Sequence, residues 1–308
     1  MAEPADRPTR RVLVTGATGF IGRHLVQRLL SQGDDVIALS RDPQRASAVL
    51  GPQVQCVADL AQLPADTAIE AIVNLAGATI LAQPWTRARR LLLRESRLGT
   101  TRAVVLLCER LQKRPSVLVN ASAIGYYGVR SDEPVDEQTG PQSIFQSQLC
   151  SDWEALAARA GPATRVTSLR FGVVLGRHGG ALPQLVRATR LGLGTILGTG
   201  RQGAPWIHLE DALRLITWAL EQPALTGAVN AVAPEAVTQA QMMTALAQIL
   251  QRPIWLRVPA FVLRAALGEM AQLLVDGQRV VPSRALAAGF AFRHPTLAGA
   301  LEDILSRR

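Results

Sequence analysis

Thr15-Gly16-Ala17-Thr18-Gly19-Phe20-Ile21-Gly22 sets three glycines at spacing three. An apolar run at 11–14 precedes the motif and an amphipathic one at 20–32 follows it. A strand that feeds such a loop and opens a helix is the context in which a glycine motif holds a dinucleotide diphosphate. Gly16 allows the tight turn, Gly19 lets backbone approach the phosphates, and Gly22 lets the helix pack closely on the strand. The first helical N–H groups and the positive end of the helix dipole then face the diphosphate. Thr15, Thr18, Phe20 and Ile21 complete that loop.

The end of the second strand selects the coenzyme. NAD-binding folds place an acid there for the ribose 2′-hydroxyl. This chain reads Leu39-Ser40-Arg41, and a hydroxyl with a guanidinium suits a 2′-phosphate that a carboxylate would repel. Asp42 precedes Pro43 and reads as a helix N-cap with proline at the first helical position. The expected cofactor is NADP(H). Asp59, with Leu60 beside it, either holds the adenine amino group or sits in a solvated loop. Asn74-Leu75-Ala76-Gly77 closes the fourth strand beside the ribose.

Proton-transfer groups are scarce. Lys113 is the only lysine, which excludes a Walker-A loop, and neither tyrosine, Tyr126 or Tyr127, has a lysine four residues on. Ser122 ends the fifth strand, where a hydroxyl can polarise a substrate carbonyl. Tyr127 and Tyr126 are the candidate proton donors, although an unassisted phenol of pKa about 10 suits neutral-pH chemistry poorly. Arg87, Arg90, Arg94 and Arg97 share one helix face. A solvated face explains most of them, and this set and Arg201 are candidate contacts for an anionic substrate. His24, His178, His208 and His294 show no metal-ligand spacing, so no metal is expected. Ser122 with His208 and Asp211 lacks the Gly-x-Ser-x-Gly elbow of a hydrolase.

Positioning these groups needs strands that end along one edge. Apolar runs at 11–14, 36–40, 54–58, 71–75, 117–121 and within 166–175 alternate with helical segments at 20–32, from Asp42, and within 86–111. The pattern predicts an α/β protein with a Rossmann-type, doubly wound parallel sheet. Residues 1–10 read as a loose leader and 11–175 as the NADP-binding domain, completed by strands at 207–209 and 228–232 within 204–232. Residues 176–203 and 233–308 read as a small C-terminal substrate-binding lobe, with 176–203 mostly loop. At 308 residues, 48% hydrophobic and 19% charged, the chain can bury a full core. Three scattered cysteines, a polar start and no membrane-length apolar run predict a cytoplasmic protein. The net charge of +9 contains no block of five like charges. Arginine bias on a solvated surface explains it better than nucleic-acid binding. A small-molecule substrate is expected, with no nucleic acid and no membrane, and a homodimer stays open.

Other segments carry a family resemblance. They are Ala121-Ser122-Ala123-Ile124-Gly125-Tyr126-Tyr127-Gly128, Leu149-Cys150, Trp153-Glu154, Leu169-Arg170-Phe171-Gly172-Val173-Val174-Leu175, Gly198-Thr199-Gly200-Arg201-Gln202, Trp206-Ile207-His208, and Gly289-Phe290-Ala291-Phe292 with Pro295. From Arg11 onward the chain resembles the short-chain dehydrogenase/reductase superfamily in its extended, epimerase-like branch, and within it the atypical YfcH-like epimerase family proteins. The resemblance implies a nicotinamide cofactor and a Ser, a Tyr and a Lys acting together, the Lys lowering the Tyr pKa. Ser122 matches the first. Aligned on Leu149-Cys150, the Tyr position falls near Ile144 and the Lys position on Gln148, so the pair is missing. By the same resemblance Ala121, Gln148, Arg170 and Gly172 fall on the cofactor side, and Arg97 and Trp206 on the substrate side; Ser96-Arg97 also matches the group, so Arg97 is expected to turn inward. Asp136-Glu137 resembles an acid that follows Tyr-Gly in extended members, or is a solvated loop. Nucleotide-sugar enzymes of this branch carry an arginine shortly before Trp206. Gly203-Ala204-Pro205 stands there instead, which argues against such a substrate. Two functions remain: an NADP(H)-dependent oxidoreductase or epimerase on a small hydroxy or keto compound, or a catalytically weak NADP(H)-binding regulatory protein, in a family with links to cell division.

Overall fold

Val12, Leu13 and Val14 are wholly buried because both faces of their strand, β1 (Arg11–Thr15), are covered. The computed structural model describes residues 9–130 and 133–306. After β1 come α1 (Phe20–Ser31), β2 (Asp35–Leu39), α2 (Pro43–Leu50), β3 (Gln55–Val57), β4 (Ala71–Asn74), α3 (Arg87–Arg110) and β5 (Val117–Ala123). Next are β6 (Pro134–Val135), α4 (Phe145–Ala157), β7 (Arg165–Phe171), β8 (Val173–Gly176), β9 (Gly179–Gly180), α5 (Leu182–Arg190) and β10 (Thr195–Leu197). The chain closes with β11 (Trp206–His208), α6 (Leu209–Glu221), β12 (Gly227–Ala231), α7 (Gln239–Ile249), β13 (Leu256–Val258), α8 (Ala260–Leu267), α9 (Gln272–Val275), β14 (Arg279–Val280), α10 (Ser283–Ala287) and α11 (Leu297–Ser306).

Seven strands make one parallel sheet in the order β12-β7-β5-β4-β1-β2-β3. Chain order reverses between β1 and β4, and a crevice opens at the carboxyl ends of such a switch point. Strand alternation divides the core. Val12, Val14, Val36, Ala38 and Val73 pack with α1 and α6 on one face. Leu13, Ile37, Ile72 and Leu118 pack with α3 on the other. The expected doubly wound sheet is therefore present, and Asp42 caps α2 as its sequence indicates, accepting from Arg45 N at 3.0 Å.

Three expectations change. The run at 166–175 breaks after Phe171, because Gly172 lies against the Pro205 carbonyl, where a Cβ would approach to 2.6 Å. β7 stays in the main sheet, while β8 joins β11 and β9 in a separate one. The glycine-rich stretch 176–203 holds α5, whose Leu182 and Val186 pack with Trp206, Met242, Met243, Leu246, Leu301 and Ile304 in a second core. Of the expected leader, residues 1–8 lie outside the described residues. Arg10 is anchored, its Nε and Nη2 donating to the Asp34 carboxylate at 3.2 and 3.1 Å. No helix among the described residues is long and apolar enough to cross a membrane.

Candidate functional site

The loop between β1 and α1 lines a cleft of about 840 Å³ at the β1/β4 switch point. Thr15, Gly16, Thr18 and Gly19 form one wall, Leu39, Ser40 and Arg41 the next, and Asp59, Leu60, Leu75, Ala76 and Gly77 the far side. Gly16 has φ +64°, and a Cβ there would lie 2.7 Å from the Leu75 carbonyl oxygen. A Cβ on Gly22 would fall on the Gly16 carbonyl oxygen, far inside van der Waals contact. The helix that starts here has no side-chain cap and no acid in its first turn. Its N-terminal N–H groups are thus left for an anion, which is what a diphosphate needs. The groove fits a dinucleotide.

Arg41 lines the cleft as expected, and sequence reasoning missed its neighbour Arg45, one turn into α2. The carboxylates beside them are already engaged: Asp42 caps α2, and Asp59 accepts from Ala61 N at 2.9 Å. Two sequence assignments to the cofactor change here. The Phe20 ring packs against Gly176, Gly179 and Gly180 of the β8–β9 hairpin, so only its backbone remains for the groove. Asn74 is wholly buried; it accepts from Thr15 Oγ1 at 2.6 Å and donates to Asn120 Oδ1 at 2.6 Å and Thr101 Oγ1 at 2.8 Å. Thr15 Oγ1 in turn accepts from Ala76 N. This buried network ties β1, β4, β5 and α3 together and sets the cleft wall.

At the carboxyl ends of β5 and β7 a second polar cluster forms. Ser122 donates to Glu154 Oε1 at 2.6 Å. Arg170 grips the same carboxylate, Nε to Oε1 and Nη2 to Oε2, both at 2.8 Å. Arg170 Nη1 also donates to Tyr127 Oη at 2.9 Å, and Tyr127 donates to Asn230 Oδ1 at 2.6 Å. The Arg170 guanidinium sits 3.4 Å above the Tyr126 ring. Burial opposes the Arg170 charge, yet Glu154 and Tyr127 more than offset it and hold its pKa above the ordinary arginine value.

These contacts correct the catalytic assignments. Tyr127 is wholly buried, and burial pushes its phenol up to about 12 with Arg170 only partly offsetting it. It is a structural tyrosine, with no exposed surface at which to meet a substrate. Ser122 stands at the strand end as expected, but it is buried and its proton faces Glu154. Arg170 is held by Glu154 and the tyrosines, not by the cleft. Tyr126 alone stays half-exposed, and its hydroxyl has no hydrogen bond among the described residues. Gln148 is exposed on α4, while Ala121 is buried in the core. Arg97 does turn inward: it stacks on Trp153 and donates to the Leu93 and Ala78 carbonyls, bracing the loop after β4. Glu137 is no solvated loop residue; its carboxylate accepts from Asn230 N at 2.9 Å. Glu154 was legible only as half of a Trp-Glu pair, and nothing in the sequence pointed it at Ser122.

Residues 12–232 match the NAD dependent epimerase/dehydratase family. The chain belongs to that family. Residues 258–304 match a domain of unknown function, DUF1731. The chain is 37% identical to the chloroplastic epimerase family protein SDR39U1 homolog of Arabidopsis thaliana, over 96% of this chain and 86% of that protein. It is 35% identical to the epimerase family protein YfhF of Bacillus subtilis, over 96% and 98%. The crystal structure of human epimerase family protein SDR39U1 (isoform 2) with NADPH is 36% identical, with a TM-score of 0.88 over 97% of this chain and all of that one.

In this epimerase-family chain Trp206 is not a cleft residue. It is wholly buried in the second core, and its Nε1 donates to the Glu235 carbonyl. The histidines expected to be scattered include one stacked pair, His208 and His294, with centroids 3.8 Å apart and Asp303 within reach. His208 Nδ1 accepts from Glu210 N and caps α6, so its proton lies on Nε2, 3.4 Å from Asp303. A metal ion there would have to displace that proton. Burial keeps the His208 pKa below its ordinary value, which suits a neutral cap.

Burial also pushes the Cys108 and Cys150 thiols up to about 11, while Cys56 is half-exposed. Roughly one buried thiol in a thousand is then ionised at pH 8. The native protein is expected to give at most one fast equivalent with a disulfide reagent at pH 8, against three in denaturant. Two fast equivalents in the native state would mean that the α3 or α4 core opens.

Proposed function

We propose that this chain binds NADP(H) in the β1/β4 cleft and acts as an NADP(H)-dependent oxidoreductase or epimerase on a small hydroxy or keto compound. One observation carries the cofactor: Arg41 and Arg45 flank the end of β2, where a free acid would signal NAD, and the nearby carboxylates are occupied as caps. The NADPH of the human relative supports the same choice. The cofactor would supply the hydride. The chain's own residues hold and orient: the α1 N-terminus takes the diphosphate, Arg41 and Arg45 the 2′-phosphate, and Arg97 braces the loop after Gly77. With Ser122 and Tyr127 engaged elsewhere, Tyr126 is the side chain left to carry a proton. A second reading, a cofactor-binding regulator with weak turnover, draws on that same loss of the Ser–Tyr–Lys set.

Arg41→Asp tests the cofactor. NADPH affinity should fall by about 10- to 150-fold, the loss of a charge-assisted contact of ~1.5–3 kcal/mol, with NADH affinity nearly unchanged. Fluorescence titration measures both. Parallel losses for the two coenzymes would point to a damaged fold and remove the 2′-phosphate argument.

A further inference from the structure

Loops from three parts of the chain enclose a second cavity of about 560 Å³, lined by Arg130, Arg201 and Arg279. Arg130 follows the 3-10 turn Ile124–Tyr127 that leaves β5, and it is fixed by donation to the Tyr127 and Gly140 carbonyls. Arg279 lies on β14, which pairs with β6. Arg201 follows Gly200 in the loop after β10. Gln202 beside it clamps that loop, its Nε2 donating to the Leu197 and Leu274 carbonyls, both at 2.9 Å. The backbone that carries the charges is therefore held, Arg201 N donating to Thr199 Oγ1 at 3.2 Å, while the guanidinium groups of Arg201 and Arg279 make no hydrogen bond or ion pair among the described residues.

One acid among the described residues lines the cavity, Asp276, and it is bound to Arg264 at 2.8 Å. The N-terminus of α7 adds a positive dipole end, since Thr238 and Gln241 also line the wall. Its first N–H groups are already used by the capping box and by the Gln202 and Gly200 carbonyls. The helix thus contributes field, and the guanidinia contribute contacts. Unpaired like charges around a concavity repel one another and are stabilised by a ligand of opposite sign. Guanidinium forks match the planar oxygens of phosphate and carboxylate groups.

We propose that this cavity binds a multivalent oxyanion, so that the small molecule acted on carries a phosphate or a polycarboxylate. Treating that molecule as the substrate rests on the NADP(H) reading; the anion site itself does not.

The test uses the whole protein saturated with NADPH, so that the coenzyme fills the dinucleotide cleft. Calorimetric titrations with inorganic pyrophosphate, inorganic phosphate and citrate are run on wild type and on R201Q/R279Q. R102Q/R159Q removes the same charge from exposed positions elsewhere. At least one anion should bind wild type and R102Q/R159Q alike and bind R201Q/R279Q at least about tenfold more weakly, with NADPH affinity unchanged across all three. Tighter pyrophosphate marks a phosphorylated ligand, and tighter citrate a polycarboxylate. No binding to wild type, or equal binding to R201Q/R279Q, overturns the site. If NADPH itself fails to bind, the coenzyme reading falls separately, and the same titrations without it still decide the arginine cavity.

Discussion

Gly22→Ala is expected to lower NADPH affinity by a factor of about 100 or more. A Cβ at this position meets the Gly16 carbonyl oxygen and the Ala17 Cα, both backbone atoms that cannot swing aside. Either α1 moves off the sheet or the loop at Gly16 flattens. Both changes draw the first N–H groups of α1 away from the diphosphate. Losing two hydrogen bonds to a charged group costs ~3–6 kcal/mol, and each ~1.4 kcal/mol is tenfold in affinity. The packing strain destabilises the fold as well, by about 1–3 kcal/mol. Gly33→Ala separates the two effects. Gly33 has φ +80° just after α1 and no atom near its missing Cβ, so alanine there costs about 1–2 kcal/mol of stability without touching the cleft. NADPH titration and thermal unfolding of both variants give the comparison. Unchanged coenzyme affinity in Gly22→Ala would remove the β1–α1 loop as the diphosphate site.

The loops that line the cleft were legible because backbone requirements write themselves into residue type. Glycines at spacing three are demanded by close approach, Asp42-Pro43 by a helix start, and a run such as Val-Leu-Val by burial on both strand faces. Arg41 was legible because the end of β2 is a fixed place in the fold. Arg45 was not, since an arginine one turn into a surface helix looks like any solvated charge. The catalytic half was misread for a different reason. Tyr126 and Tyr127 are adjacent and chemically alike, and only the turn that follows β5 decides which ring is buried. Ser122 and Arg170 carry types that invite a functional role, yet both are held by Glu154, 32 and 16 residues away along the chain. Spacing in sequence carries no information about such a meeting. Trp206 failed likewise: its side chain belongs to the core built by α5, α7 and α11, and a glycine-rich stretch gave little hint of α5.

Glu154→Gln should destabilise the protein by ~3 kcal/mol or more. The amide keeps the shape and one acceptor but removes the one ion-pair partner, among the described residues, of a guanidinium 3% exposed to solvent. Removing one partner of a buried pair leaves the other charge uncompensated, which costs about 3–5 kcal/mol. Glu154 keeps 14% of its side chain exposed, so the lower end of that range applies. Replacing both partners by apolar residues, Glu154→Leu with Arg170→Met, should recover much of the loss, since no orphan charge remains. Tyr127→Phe supplies the pH arm. A phenol raised from 10 to about 12 in the fold stays protonated where the unfolded chain would ionise. Its contribution is therefore present below pH 10 and is lost as pH rises through 12. Tyr127→Phe should cost ~1–3 kcal/mol at neutral pH through the lost Asn230 and Arg170 contacts and flatten the alkaline decline between pH 10 and 12. Thermal unfolding of the three variants across pH decides the matter. Wild-type stability in Glu154→Gln would show that the Arg170 charge is solvated after all, and the positioning of Ser122 and Tyr126 by this cluster would lose its basis.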